Sequence, residues 1–310
     1  MKFNLQNLNN FKVKPISTGD EVEWNEKNLR SYKLFGPHKH FTCYINAKTN
    51  SGKSVLIQNI IQKTTTKKTV IWIFSPTTEI DRGWKSEIKR LTDKGYIVNT
   101  FPVIQENGVN HLQIILDTLS EEIGEGEEGE PVKPKRKKDI PMNPFTKKVK
   151  MKFDNDEEDE EELPLIPVDE GEYIEKKPKK PKKDKKYTCK NLFIFDDISN
   201  QLRLPIVGVF ARKSRHFFSN CIFSSQSAKD LSPGTIGQIS HFISFKGNAF
   251  SKMEHIHRLL DLSMDFDKFW EMYHHFTKQK YSFLYCDVRR EEYRQNFNKR
   301  ILIEDVEDEK

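Results

Sequence analysis

Residues 41–63 read "FTCYINAKTNSGKSVLIQNIIQK". The first six are rich in aromatic and β-branched side chains and predict a short strand. Apolar residues at 55, 56, 57, 60 and 61 have the spacing of a buried helix. Between them "AKTNSGKS" (47–54) ends in Gly-Lys-Ser. That is the pattern of a loop whose backbone N–H groups wrap phosphates at a helix N-terminus, where the helix dipole also favours anions. In this pattern Gly52 lets the backbone approach closely, Lys53 reaches the β- and γ-phosphates and Ser54 supplies a hydroxyl for Mg²⁺. The usual pattern opens with glycine; Ala47 stands there instead, at a turn out of the strand where a small side chain can serve. The strand-loop-helix setting separates the match from a chance one. The expected nucleotide-binding residues are Ala47, Lys48, Thr49, Asn50, Ser51, Gly52, Lys53 and Ser54.

Further strands are expected at 69–76, 96–101, 191–198, 220–226, 241–247 and 281–288, with 292–302 as a possible edge. Helices are expected at 81–95, 110–123, around 203–215, at 251–262 and at 265–276. Alternation of strands and helices predicts an α/β fold, a mostly parallel sheet flanked by helices on both faces. The polar residues 1–40 read as an N-terminal extension, 41–300 as one domain and 301–310 as an acidic tail.

The domain is interrupted at 121–187 by blocks such as "NDEEDEEEL" and "KKPKKPKKDKK". Such runs bury too little apolar surface to offset their ordering entropy, so the insertion is expected to be disordered. Within it "PKRKK" has the form of a nuclear-import signal or DNA-contacting arm, but a solvated linker is the simpler expectation. Residues 121–186 hold 17 Lys/Arg and 20 Asp/Glu, so the chain's +6 net charge becomes +9 over the remainder. That surplus permits a polyanionic partner.

The four cysteines are far apart and form no Cys-x-x-Cys pair; buried, reduced thiols are expected. The N-terminus is too polar for a signal peptide, and no apolar run approaches the roughly 20 residues of a membrane span. The histidines, "HIH" and "HH" among them, have no metal-ligand spacing.

The strand "LFIFDD" ends in Asp196 and Asp197. A buried strand ending in Asp beside a P-loop holds the Mg²⁺ of a nucleoside triphosphate, which makes Asp196 a metal candidate with Ser54. Asp197 is a candidate for polarising the attacking water. "CIFSSQ" places Gln226 at the tip of the next strand, where it can sense a γ-phosphate or orient water. In "ARKSRH" (211–216) Arg212 and Arg215 are both candidates for a γ-phosphate contact made in trans.

The order "AKTNSGKS", "LFIFDDIS", "RHFFSNCIFSSQS", "LSPGTIGQISHFISFKG", "YSFLYCDV" and "YRQNF" resembles the FtsK–HerA superfamily. Within it, the order is most similar to the genome-packaging ATPases of large DNA viruses, virophages and related transposons. The resemblance spans about 35–120 and 187–300. It implies a RecA-like P-loop NTPase fold, ATP and Mg²⁺ as cofactors, and an oligomeric ring that pumps double-stranded DNA into preformed capsids. Capsid, portal or vertex proteins would be partners, with no membrane. The site of action would be the host cytoplasm (a viral factory) or nucleus, or the virion itself.

By the same resemblance Lys53 and Ser54 serve ATP and Mg²⁺, Asp196 is the Mg²⁺-linked acid, Asp197 the catalytic carboxylate, Gln226 the sensor and Arg215 the trans-acting arginine. The sequence departs from the family pattern at Gly237, where many relatives carry arginine. It also has Asp197 where many have glutamate, and the charged insertion is not a family feature. Competing readings are a cellular or plasmid DNA translocase or helicase, a P-loop small-molecule kinase, and a nucleotide-dependent regulatory subunit without turnover.

Overall fold

The computed structural model describes residues 24–124 and 186–303. The interior of the charged insertion, the acidic tail from 304 and the first 23 residues of the N-terminal extension lie outside the described residues.

In chain order the elements are α1 (Tyr32–Phe35), β1 (Thr42–Asn46), α2 (Lys53–Thr64), β2 (Val70–Phe74), α3 (Arg82–Asp93), β3 (Ile97–Phe101), β4 (Gln105–Glu106), β5 (Val109–Asn110) and α4 (His111–Gly124). After the insertion come β6 (Asn191–Asp196), α5 (Pro205–Lys213), β7 (Ser219–Ser225), a 3₁₀ turn (Ala228–Asp230), α6 (Pro233–Ile236) and β8 (His241–Phe245). The chain closes with α7 (Phe250–Leu259), α8 (Phe266–Phe276), β9 (Phe283–Asp287), β10 (Glu292–Gln295) and β11 (Lys299–Arg300).

Nine strands form one sheet in the order β11-β10-β9-β8-β1-β7-β6-β2-β3. The run from β8 to β3 is parallel throughout. β9, β10 and β11 continue it antiparallel. This is an α/β fold with helices on both faces of the sheet. The mostly parallel sheet is as expected; the antiparallel edge of three strands is the addition. Antiparallel β4 and β5 form a separate hairpin. Its turn, Asn107–Gly108, has positive φ at both residues, which suits this pair and few others.

Successive strand residues point to opposite faces, and the two faces of this sheet differ in chemistry. On one, Trp72, Phe74, Phe193, Phe195 and Phe223 pack with α4, α5, α7 and α8. Their rings stack across strands, Phe74 on Phe195 at 5.1 Å and Phe195 on Phe223 at 5.0 Å. On the other, Cys43, Ile45, Ile71, Ile73, Leu192, Ile194, Ile222 and Ile243 meet α2 and α3. Each such fully buried side chain contributes about 1.5–3 kcal/mol.

Residues 24–40 are more than a polar extension. Leu29 and Phe35 are buried; Phe35 stacks on Phe41 at 4.1 Å, and Leu29 bridges to Tyr187. At the insertion's borders, α4 continues to Gly124 and the chain is again paired at Tyr187. All four cysteines are free and buried.

Candidate active site

The parallel strands end on one edge of the sheet, where ligands of open α/β sheets bind. The loop after β1 occupies this edge. Asn50 and Gly52 both have positive φ, 61° and 97°. Gly52 then opens α2 without any side-chain cap, leaving the first N–H groups of a twelve-residue helix available to an acceptor. A Cβ on Gly52 would also stand 3.1 Å from the Tyr281 ring. Ala47 keeps a negative φ and is buried. The backbone at this position therefore does not require glycine, and the methyl group fills core space.

Lys53, buried at the start of α2, pairs with both acids at the end of β6: its Nζ lies 3.2 Å from Asp196 Oδ1 and 2.8 Å from Asp197 Oδ2. In the sheet β6 is two strands from β1, about 10 Å away. The strand between them, β7, ends in Ser224 and Ser225, in register with Asp196 and Asn46 respectively. Two small side chains there leave room for the lysine to cross. Asp196 is 2% exposed, whereas the Asp197 side chain is 38% exposed and its φ is 55°. One carboxylate is thus enclosed and the other faces solvent, although they are adjacent in sequence.

Asp196 has a second partner. Asp81 caps α3 by accepting from the Trp84 backbone N–H, and Trp84 Nε1 donates to Asp196 Oδ2 at 3.0 Å. Trp84 was not among the sequence candidates. It is the lone aromatic in a charged helix, but only the tertiary fold brings it to the acid.

Gln226 is exposed at the tip of β7, and its Nε2 lies 3.5 Å from Thr49 Oγ1 in the loop. Lys252 on α7, also unforeseen, donates to the Gln226 backbone carbonyl and, at 2.7 Å, to Asn248 Oδ1. Burial, then the nearby Lys48 ammonium, lowers its pKa. Lys48 packs on Gly247. Ser54 is the second residue of α2, one position after Lys53.

The fold does not bring the arginines to this site. Arg215 lies in the exposed turn before β7, at the opposite edge of the sheet, about 20 Å away along seven strand residues. Arg212 packs on α6, where a Cβ on Gly234 would come within 2.6 Å of its guanidinium. Gly237 is the C-cap of α6.

Among the described residues, no three His, Cys, Asp or Glu side chains are grouped to hold a metal. The donors at the loop are carboxylate and hydroxyl oxygens, the hard set that Mg²⁺ takes, one or two at a time, together with substrate phosphates. The residues fit that ion.

No family model and no curated protein matches this chain. Solved structures similar to it include the genome packaging NTPase B204 from Sulfolobus turreted icosahedral virus 2 in complex with AMP, 13% identical, TM-score 0.43, covering 86% of this chain and 100% of that one. The DNA-packaging ATPase B204 from Sulfolobus turreted icosahedral virus is 12% identical with TM-score 0.45, covering 83% of this chain and 97% of that one. The cytoplasmic domain of the Thermomonospora curvata type VII secretion ATPase EccC is 14% identical with TM-score 0.40, covering 82% of this chain and 24% of that one. At these identities and TM-scores the likeness assigns this chain no activity.

Proposed function

We propose that this chain is an ATP-hydrolysing motor that moves double-stranded DNA, working as an oligomeric ring that packages a genome into a preformed capsid. The observation that carries the ATPase reading is Lys53, buried and ion-paired with Asp196 and Asp197 beside the open N-terminus of α2. A lysine so placed exchanges its carboxylate partners for phosphate oxygens when a nucleotide enters. The loop from Ala47 to Ser54 supplies backbone N–H groups to the phosphate chain.

Ser54 and Asp196 would hold Mg²⁺, which when bound neutralises charge on the phosphate oxygens. Trp84 fixes the orientation of Asp196. Asp197, open to solvent, accepts a proton from water as the water oxygen attacks the γ-phosphorus. The bond to the β-phosphate oxygen breaks, and ADP and phosphate leave. Gln226, tied to the loop through Thr49, orients that water or reports the γ-phosphate to the sheet.

Arg215, far from its own chain's site, acts on a neighbour's nucleotide. The DNA reading rests on the motif order and on the +9 charge outside the insertion. Contact through phosphates would be sequence-tolerant and salt-sensitive. ATP hydrolysis with and without double-stranded DNA, alongside the mass of the oligomer, tests this function. DNA-stimulated hydrolysis by a ring supports it. Phosphoryl transfer to a nucleoside would favour a kinase, and ATP binding without turnover a regulatory subunit.

A further inference from the structure

Tyr281 touches the phosphate loop, and no role above uses its exposed ring. It is 59% exposed, and its ring edge lies against Gly52. Its backbone is left-handed, φ 68°, a conformation that is an outlier for a bulky side chain and persists only where the surroundings impose it. The Lys280 ammonium lies over the ring, 5.0 Å from its centroid. Immediately after it the chain enters β9, whose Phe283 packs on Phe245 at 5.3 Å. The core therefore accepts Phe283 but leaves the ring two residues earlier in water.

A residue needed only for this turn would be better as glycine, and one needed only for packing would bury its ring. An exposed aromatic surface beside a phosphate loop matches a ligand that carries a flat π-system on a phosphate chain. The geometry points to Tyr281 as the platform on which the base of a nucleoside triphosphate stacks, so that the site selects a nucleotide over a bare phosphate chain. This rests on the nucleotide reading of the loop and adds the base to it.

Binding of ATP and of inorganic tripolyphosphate to the full chain and to Tyr281→Phe, Tyr281→Ala and Tyr281→Gly tests the assignment. Tyr281→Phe should hold ATP within about twofold of wild type. The other two should weaken ATP about tenfold, as expected for a lost base–aromatic stack, and leave tripolyphosphate within about twofold. Tyr281→Gly also relieves the left-handed backbone, so its melting temperature should equal or exceed that of wild type while ATP affinity falls. Unchanged ATP affinity in Tyr281→Ala would overturn the assignment. Equal loss of both ligands would do so too, because it would make the ring a prop for Gly52. Wild-type protein that binds tripolyphosphate as tightly as ATP also overturns the stacking role but leaves the phosphate loop standing. Binding of neither ligand by the wild type overturns the nucleotide reading itself.

Discussion

At the scale of single residues, the arrangement turns on a lysine and two adjacent acids in different surroundings. Lys53, Asp196 and Asp197 were legible in the sequence because a Gly-Lys-Ser at a strand-to-helix turn and an acid pair at a strand end are local patterns. Trp84, Lys252 and Tyr281 were not legible, because each reaches the site from an element distant in sequence from a residue it meets there. Ala47 was legible only as a departure; its negative φ and burial give the reason it is tolerated. Ala47→Gly should therefore leave ATP affinity within about twofold and lower stability by about 0.5–1 kcal/mol, through backbone entropy and the lost methyl group. Urea unfolding together with ATP titration checks this. A large gain in ATP affinity would mean that Ala47 impairs the loop.

At the scale of elements, every strand and helix of five residues or more was foreseen, and so was the mostly parallel sheet; the antiparallel direction of β9, β10 and β11 was not. β8 and β9 both read as apolar runs because both are buried on two faces, and such runs carry no sign of parallel or antiparallel pairing. The β4–β5 hairpin was readable in Asn107–Gly108 yet absent from the expected elements.

The sheet edge opposite the loop holds a buried histidine. His241 receives a hydrogen bond from the Tyr285 hydroxyl at its Nδ1, or donates one to it, at 2.9 Å. Its Nε2 has no hydrogen-bond partner. Around it stand His38 and Asp287, paired at 2.8 Å, and Arg289 and Arg294. Burial chiefly lowers the His241 pKa from 6.5 to about 3, outweighing the attraction of Asp287. Burial alone would raise the Asp287 pKa, but the His38 hydrogen bond and the histidine charges hold it lower.

The folded chain thus keeps His241 neutral down to about pH 3, while the unfolded chain takes up a proton near 6.5. Acid favours the unfolded state across that window, by up to about 1.4 kcal/mol per pH unit. Between pH 7 and pH 5 the cost is about 2 kcal/mol. His241→Gln should flatten this part of the pH dependence, whatever it does to stability at pH 7. Denaturant midpoints at pH 7 and pH 5 for both proteins read it directly, and an unchanged difference would refute the assignment.

At the scale of the whole molecule, the fold separates two sets of candidate residues across the sheet. The loop, the acid pair and Gln226 sit at one edge, and Arg215 sits exposed at the other. The sequence order alone could not show this, since Arg215 and Gln226 are only eleven residues apart and the strand between them spans the sheet. If the arginine serves a neighbouring subunit, Arg215→Ala should bind ATP normally and turn it over poorly. Mixed with Lys53→Ala, it should regain part of the activity. Intact mixed rings without any recovery would rule out that role. Among the described residues no helix is long and apolar enough to cross a membrane.

The proposed hydrolytic site is made by Lys53, Asp196 and Asp197. Steady-state ATP hydrolysis by the wild type, Lys53→Ala and Asp197→Asn, with double-stranded DNA present, tests it most directly. DNA should stimulate turnover in the wild type, and both variants should lose at least about a hundredfold, the scale set by a removed base or a lost charge on the transferred group. Wild-type rates in both variants would contradict it.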